Sequence, residues 1–85
     1  MNSYEKQEQI ILKQIIKSKD FRTEMREIMA PLDFLFPNNL ICETIYEMME
    51  NGEEIDMVSL TRHLKKRTAL DIVGGASYIS SLFID

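Results

Sequence analysis

Tryptophan is absent from this 85-residue sequence, and cysteine and histidine occur once each. The lone thiol, Cys42, cannot close an internal disulfide, which excludes a stapled secreted scaffold. The lone imidazole, His63, has no second imidazole or nearby thiol at metal-ligand spacing, so no metal site is expected. Glycine and proline are scarce at three and two residues, as suits helices joined by short connections. No apolar run approaches the roughly 20 residues that span a bilayer. Charges interrupt the N-terminus from Glu5 onward, unlike a signal peptide. No membrane association is expected, and the natural assignment is a reducing cytoplasm.

The middle of the chain lacks positive charge. Between Glu27 and Thr61 there is no Lys or Arg, and eight acids occupy the stretch. The ten basic residues fall into two blocks, six from Lys6 to Arg26 and four from Arg62 to Arg67. A net charge of −4 argues against a protein whose main work is neutralising phosphates. Segregated signs suit a protein that docks others, because charge on an interface rim steers association and selects partners. A chain of this length supports a single domain, 1–85, burying about 60 to 65% of its unfolded surface. Its stability is therefore modest or helped by association. Six methionines supply pliable side chains for a helical interior.

What is present reads as helices with clear punctuation. Asn2 can cap a first helix, with Glu5 placed to complete a capping box, and Ile11, Leu12, Ile15 and Ile16 recur at helical spacing until Lys17 or Ser18. Asp20 can cap a second, on which Phe21, Met25 and Ile28 form a stripe with Met29 as a further candidate, and Pro31 disfavours a helical Ala30. Pro31 to Pro37 is an apolar turn expected to tuck against the core. Asn38 or Asn39 can cap a third helix to about Glu50, with Leu40, Ile41, Ile45 and Met48 inward. Gly52 supplies a cheap stop, and Asp56 opens a fourth helix from Met57 to about Arg67, with Ile55 and Leu60 at the positions of a hydrophobic staple. Gly74 and Gly75 then let the backbone turn and approach a neighbour, so a bulky residue at Gly75 is expected to overpack; Ala76 to Phe83 forms the last helix. No internal repeat, low-complexity stretch or sustained alternation of apolar residues argues for anything else.

Candidate chemistry is thin. Cys42 falls beside the apolar face of the third helix and reads as buried and inert. The glycine pair lacks the Lys and preceding strand of a P-loop, so no nucleotide should bind. Glu43, Glu47 and Glu50 share one helix face at i, i+4 and i+7. Arg62, Lys65 and Lys66, with Arg67, form a basic face without interleaved aromatics, so direct DNA contact is not expected. The default for both faces is solvation, and the sharper reading is protein docking.

The stretch from Asn51 to Leu82 resembles the N-terminal domain of bacterial replicative DNA helicases of the DnaB type. That family's pattern has an apolar helix ending in Gly, an Ile-Asp pair opening a Leu-rich helix with a basic end, then Val-Gly-Gly-Ala before an aromatic-bearing helix. The matching residues here are Gly52, Ile55-Asp56, Leu60, Leu64, Lys65, Lys66, Arg67, Val73-Gly74-Gly75-Ala76 and Tyr78. Upstream, QEQIILKQII looks like the family's first helix and PLDFLF its Asp-Phe segment, the match being weaker before Pro31. Where the family often has a histidine-arginine pair opening the third long helix, this chain carries Asn38 and Asn39, a departure that bears on any partner contact the pair makes.

The expected fold is all-α, a compact orthogonal bundle of five or six helices around Ile11, Ile15, Phe21, Met25, Ile28, Ile41, Ile45, Leu60, Leu64, Val73 and Ile79. The resemblance implies a non-catalytic interaction domain in DNA replication that contributes to collar assembly and receives primase and helicase loader. ATP and Mg would belong to a motor domain outside these residues, and the chain is expected to end before the family's helical hairpin. Weak dimerisation is the expected limit of self-association. Two alternatives stay open, a stand-alone phage or prophage regulator that mimics the helicase head, and a small helical DNA-binding module.

Overall fold

Five helices and a single 3-10 turn make up the computed structural model, which describes residues 3–84. In chain order they are α1 (Ser3–Lys17), α2 (Lys19–Ile28), the 3-10 turn Pro31–Asp33, α3 (Asn38–Glu50), α4 (Met57–Lys66) and α5 (Gly75–Leu82). No strand occurs among the described residues. The fold is all-α. Its Cα radius of gyration is 11.7 Å, close to the ~11.9 Å that scaling gives for this length. The expected cap at Asn2 lies outside the described residues.

One residue separates α1 from α2. Ser18 N–H donates to Gln14 O at 3.0 Å and closes α1, while the Ser18 hydroxyl accepts from Phe21 N at 3.1 Å and opens α2. Ser18, not Asp20, is thus the cap. The reason is the tightness of the corner, which puts Asp20 inside the first turn, where its charge still complements the helix dipole. Arg22 Nη1 reaches back to Ile15 O and Ile16 O at 2.9 and 3.1 Å, satisfying carbonyls that the end of α1 leaves open.

The expected side-chain cap of α3 is also corrected. Pro37 occupies the cap position without a side-chain bond, and Asn38 works across the fold instead. Its Nδ2 donates to Glu8 Oε1 at 3.0 Å, and its Oδ1 accepts from the Tyr78 hydroxyl at 3.1 Å. Glu8 Oε2 accepts from Leu35 N–H at 2.7 Å. A carboxylate that is only 4% exposed therefore ties α1 to the loop before α3, and Asn38 extends the tie to α5.

Three chain reversals in the second half share one design. After α3, Glu53 N–H donates to Met48 O and Gly52 N–H to Met49 O, the paired bonds of a Schellman stop, with Gly52 at φ +72°. After α4, Ala69 donates to Leu64 O and Thr68 to Lys65 O, with Thr68 at φ +56°. Before α5, Gly75 donates to Leu70 O and Gly74 to Asp71 O, with Gly74 at φ +119°. Asp56 caps α4 as expected, its Oδ1 accepting from Ser59 N at 2.8 Å.

The close approach predicted at Gly75 belongs to Gly74. A Cβ there would stand 2.9 Å from Tyr78 Cβ, whereas one at Gly75 would meet nothing within 4 Å. Gly75 is demanded by its left-handed backbone, φ +79°, not by space.

The core gathers Leu12, Ile15 and Ile16 of α1, Ile41, Ile45 and Met48 of α3, Leu60 and Leu64 of α4, Val73, and Ile79 and Leu82 of α5, all buried. Full burial of such a side chain contributes about 1.5 to 3 kcal/mol. Three predicted members, Ile11, Phe21 and Met25, pack against this core partly buried. Ile28 is 77% exposed and is not in it. The chain leaves helical geometry at Met29, which turns inward in its place, so the stripe runs Phe21, Met25, Met29. The turn after Pro31 is anchored by buried Phe34, while Leu32, Leu35 and Phe36 stay exposed.

Candidate docking surfaces

The acids of α3 stand in a row because the opposite side of the helix is consumed by the core. Ile41, Cys42, Thr44, Ile45, Tyr46 and Met48 are buried, leaving Glu43, Glu47 and Glu50 exposed on the outer face. Two of the three are partnered. Arg67 pairs with Glu43, and Arg26 with Glu50. Glu47, between them, makes no ion pair among the described residues. The ridge is thus neutralised at both ends and bare at its centre.

Arg67 leaves the basic cluster in which the sequence put it. Its guanidinium bridges α4 to α3, with Nη1 2.6 Å from Thr44 Oγ1 and Nη2 on Glu43. Arg62, Lys65 and Lys66 remain exposed on α4, the two lysines in its last turn, where positive charge complements the helix dipole. His63 points aside, its Nε2 3.1 Å from Glu53 Oε1.

Two grooves flank α2. One, of about 880 Å³, has Ile16, Met49 and Ile55 among its lining, with Lys19, Arg22 and Arg26 set against Glu53 and Glu54. The other, about 460 Å³, runs between the end of α2 and the α3 ridge, with Arg26, Met29, Ala30 and Pro31 on one side and Glu43, Tyr46, Glu47 and Glu50 of α3 on the other. The Tyr46 hydroxyl is already committed, donating to Met29 O at 3.0 Å. One helical turn away Cys42 is buried, and burial pushes its thiol up to about 11, with the neighbouring Tyr46 hydroxyl opposing the rise and Asp33 and Glu43 adding to it. A thiol so protonated is no nucleophile at neutral pH. Among the described residues no group of three or more His, Cys, Asp or Glu side chains converges as metal ligands would. Among the described residues no helix is long and apolar enough to cross a membrane.

Of the residues singled out in the sequence, Gly52, Asp56, Gly74 and Gly75 shape the turns that place α4 and α5. The two charged groups meet at Arg67, whose guanidinium rests on Glu43 of the α3 ridge. Sequence reasoning missed Glu8 and Arg22, whose partners lie elsewhere in the chain. A signal for Glu8 existed, since it precedes Leu12 by four residues and Ile15 by seven, and so falls on the buried stripe of α1. Also missed was the exposure of Ile28 and Leu32, which bracket in the chain the groove residues Met29, Ala30 and Pro31.

The arrangement has known counterparts. Residues 1–85 match the family model described as the DnaB-like helicase N-terminal domain. The chain is 30% identical over 76 residues to the replicative DNA helicase DnaB of Leifsonia xyli subsp. xyli (strain CTCB07), covering 88% of this chain and 17% of that protein. It also resembles the crystal structure of the N-terminal domain of DnaB helicase from Mycobacterium tuberculosis. There the TM-score is 0.81 and the identity 32%, over 88% of this chain and 53% of that one. The chain therefore spans under a fifth of the curated helicase and about half of the solved domain. With sequence, helix order and backbone in agreement over nearly its whole length, this chain belongs to the DnaB-like helicase N-terminal domain family.

Proposed function

We propose that the chain acts as a non-catalytic docking head of a replicative DNA helicase, contributing to a collar of such domains and receiving primase and loader proteins in the cytoplasm. The observation that carries this reading is a family assignment over residues 1–85, joined to a surface with an acidic face on α3, unpaired at Glu47, and a basic face on α4 at Arg62, Lys65 and Lys66. Charge arranged in this way selects partners and orients them. Unwinding and ATP hydrolysis, with their Mg ion, belong to a motor outside these residues. The glycine pair, which has neither the Lys nor the strand of a P-loop, gives this chain no means of holding nucleotide.

Calorimetric titration of the chain with the primase and the loader of its own host tests the reading. Binding of either, with no ATP turnover by the chain alone, supports it. ATP turnover by these residues, or no binding to either protein, would overturn it. Sedimentation at micromolar concentration should give a monomer or weak dimer, and a tight hexamer would contradict that part.

The exposure of Arg62, Lys65 and Lys66 favours a second reading, contact with DNA phosphates. Binding that falls steeply with salt and is lost in the Lys65→Glu, Lys66→Glu variant would support it, and no binding at low salt would remove it.

A further inference from the structure

We propose that the groove between the end of α2 and the ridge of α3 is a docking site for an amphipathic helical segment bearing Lys or Arg along one side. The proposal rests on the reading of this chain as a docking head and names the chemistry of one occupant. The two walls differ in kind. On one side Met29, Ala30 and Pro31 present apolar surface, and the residues bracketing them, Ile28 and Leu32, are 77% and 84% exposed. Large aliphatic side chains left in water at both ends of this apolar segment extend the surface that binding can cover.

The other wall is α3, with Glu43, Glu47 and Glu50 on successive turns. Arg67 and Arg26 neutralise the outer two and also hold them in place. Glu47 remains without an ion partner at the middle of the wall. Tyr46 also lines the groove but is buried, its hydroxyl bonded to Met29 O, so it braces the α2 end against α3. A segment fitting this groove therefore turns Leu- or Ile-type side chains toward Ile28, Met29 and Leu32 and places a cation over Glu47.

Charge selects among occupants. The acidic wall repels a phosphate backbone. A second copy meeting this one through the same patch about a two-fold axis would set ridge against ridge, like charge on like. A basic amphipathic helix satisfies both walls at once.

The test uses the 85-residue chain and two labelled peptides of about 14 residues, four helical turns. One carries Leu on one face and Lys on the other, and its counterpart has Glu in place of Lys. Fluorescence anisotropy should show that the Lys peptide binds and the Glu peptide does not. Backbone NMR shifts on binding should center on Met29, Ala30, Tyr46 and Glu47. Glu47→Lys and Leu32→Ser, both at exposed positions and expected to melt like wild type, should each weaken binding by about tenfold. Equal affinity for the two peptides would overturn the proposal. So would indifference to both substitutions, shifts centred on α4 or the larger groove, or dimerisation of the free chain that Leu32→Ser abolishes. Primase or loader binding that survives both substitutions, with no peptide bound, would reject the groove and leave the docking head. Peptide binding without any primase or loader bound would reject those partners and leave the groove.

Discussion

The two halves of this small domain are held together by different means. From α3 onward the chain reverses three times, at Gly52, Thr68 and Gly74, with the same pair of backbone bonds between residues five and three apart. Before α3 the joints are made by side chains that reach farther. Arg22 returns to Ile15 and Ile16, Glu8 holds Leu35 and Asn38, and Tyr46 holds Met29. A backbone stop is written in a few consecutive residues. A side-chain tie needs a partner that only the folded chain brings near.

Gly74→Val should break the second half most severely. It combines a β-branched residue at positive φ with a Cβ 2.9 Å from that of Tyr78, and a loss of about 3 kcal/mol or more is expected in urea unfolding. Gly75→Ala faces only the backbone cost, about 1 to 2 kcal/mol, so equal losses at the two glycines would erase the distinction between them. In the first half, Glu8→Ala should cost about 2 to 3 kcal/mol, because the Leu35 N–H and the Asn38 amide lose a charged acceptor. Glu8→Gln keeps one acceptor oxygen and sets an amide donor against the other donor, so at most partial recovery is expected, and full recovery would show that one of the two bonds is dispensable.

The helix caps offer a finer comparison. Ser18→Ala and Asp56→Ala should each lose about 1 kcal/mol, as removal of an N-cap acceptor does. Asp20→Ala should lose only the dipole contribution, about 0.3 to 1 kcal/mol and screened by salt. A larger loss at Asp20 than at Ser18, measured in thermal melts, would restore Asp20 as the cap. The smallest change should be a gain. Thr68 is the one non-glycine residue at positive φ among those described, and Thr68→Gly relieves roughly 1 kcal/mol of steric strain less the entropy that glycine loses on folding.

This contrast explains which expectations held. The stop at Gly52, the cap at Asp56 and the inward Leu60 and Leu64 were legible because each depends on neighbours a few residues away. The stripe of α1 was legible as a helix, but its periodicity could not choose between Ile11 and Leu12 for the deepest place. Ile28 was misplaced because a stripe at i, i+4 and i+7 assumes a helix that continues, and this one ends there. Asn38 is chemically an excellent cap, and nothing local says that Glu8 and Tyr78 will claim both ends of its amide. The acidic and basic groups were readable as groups. Their partial neutralisation by Arg26 and Arg67 was not, since both bridges span more than twenty positions.

The amino-acid sequence by itself determined that this chain is helical, where most helices begin and end, and which family it belongs to. The helices and their ends follow from apolar spacing, capping chemistry and glycine placement, all of which act over one or two helical turns, and the family from the likeness of its motifs to known members. Tertiary structure alone decided that Glu8 is a buried tie, that Arg67 deserts its cluster, that Glu47 stands unpaired above a groove, and that Ile28 and Leu32 face water. Each of these depends on distances between segments far apart in the chain, and those distances exist only after the helices have packed.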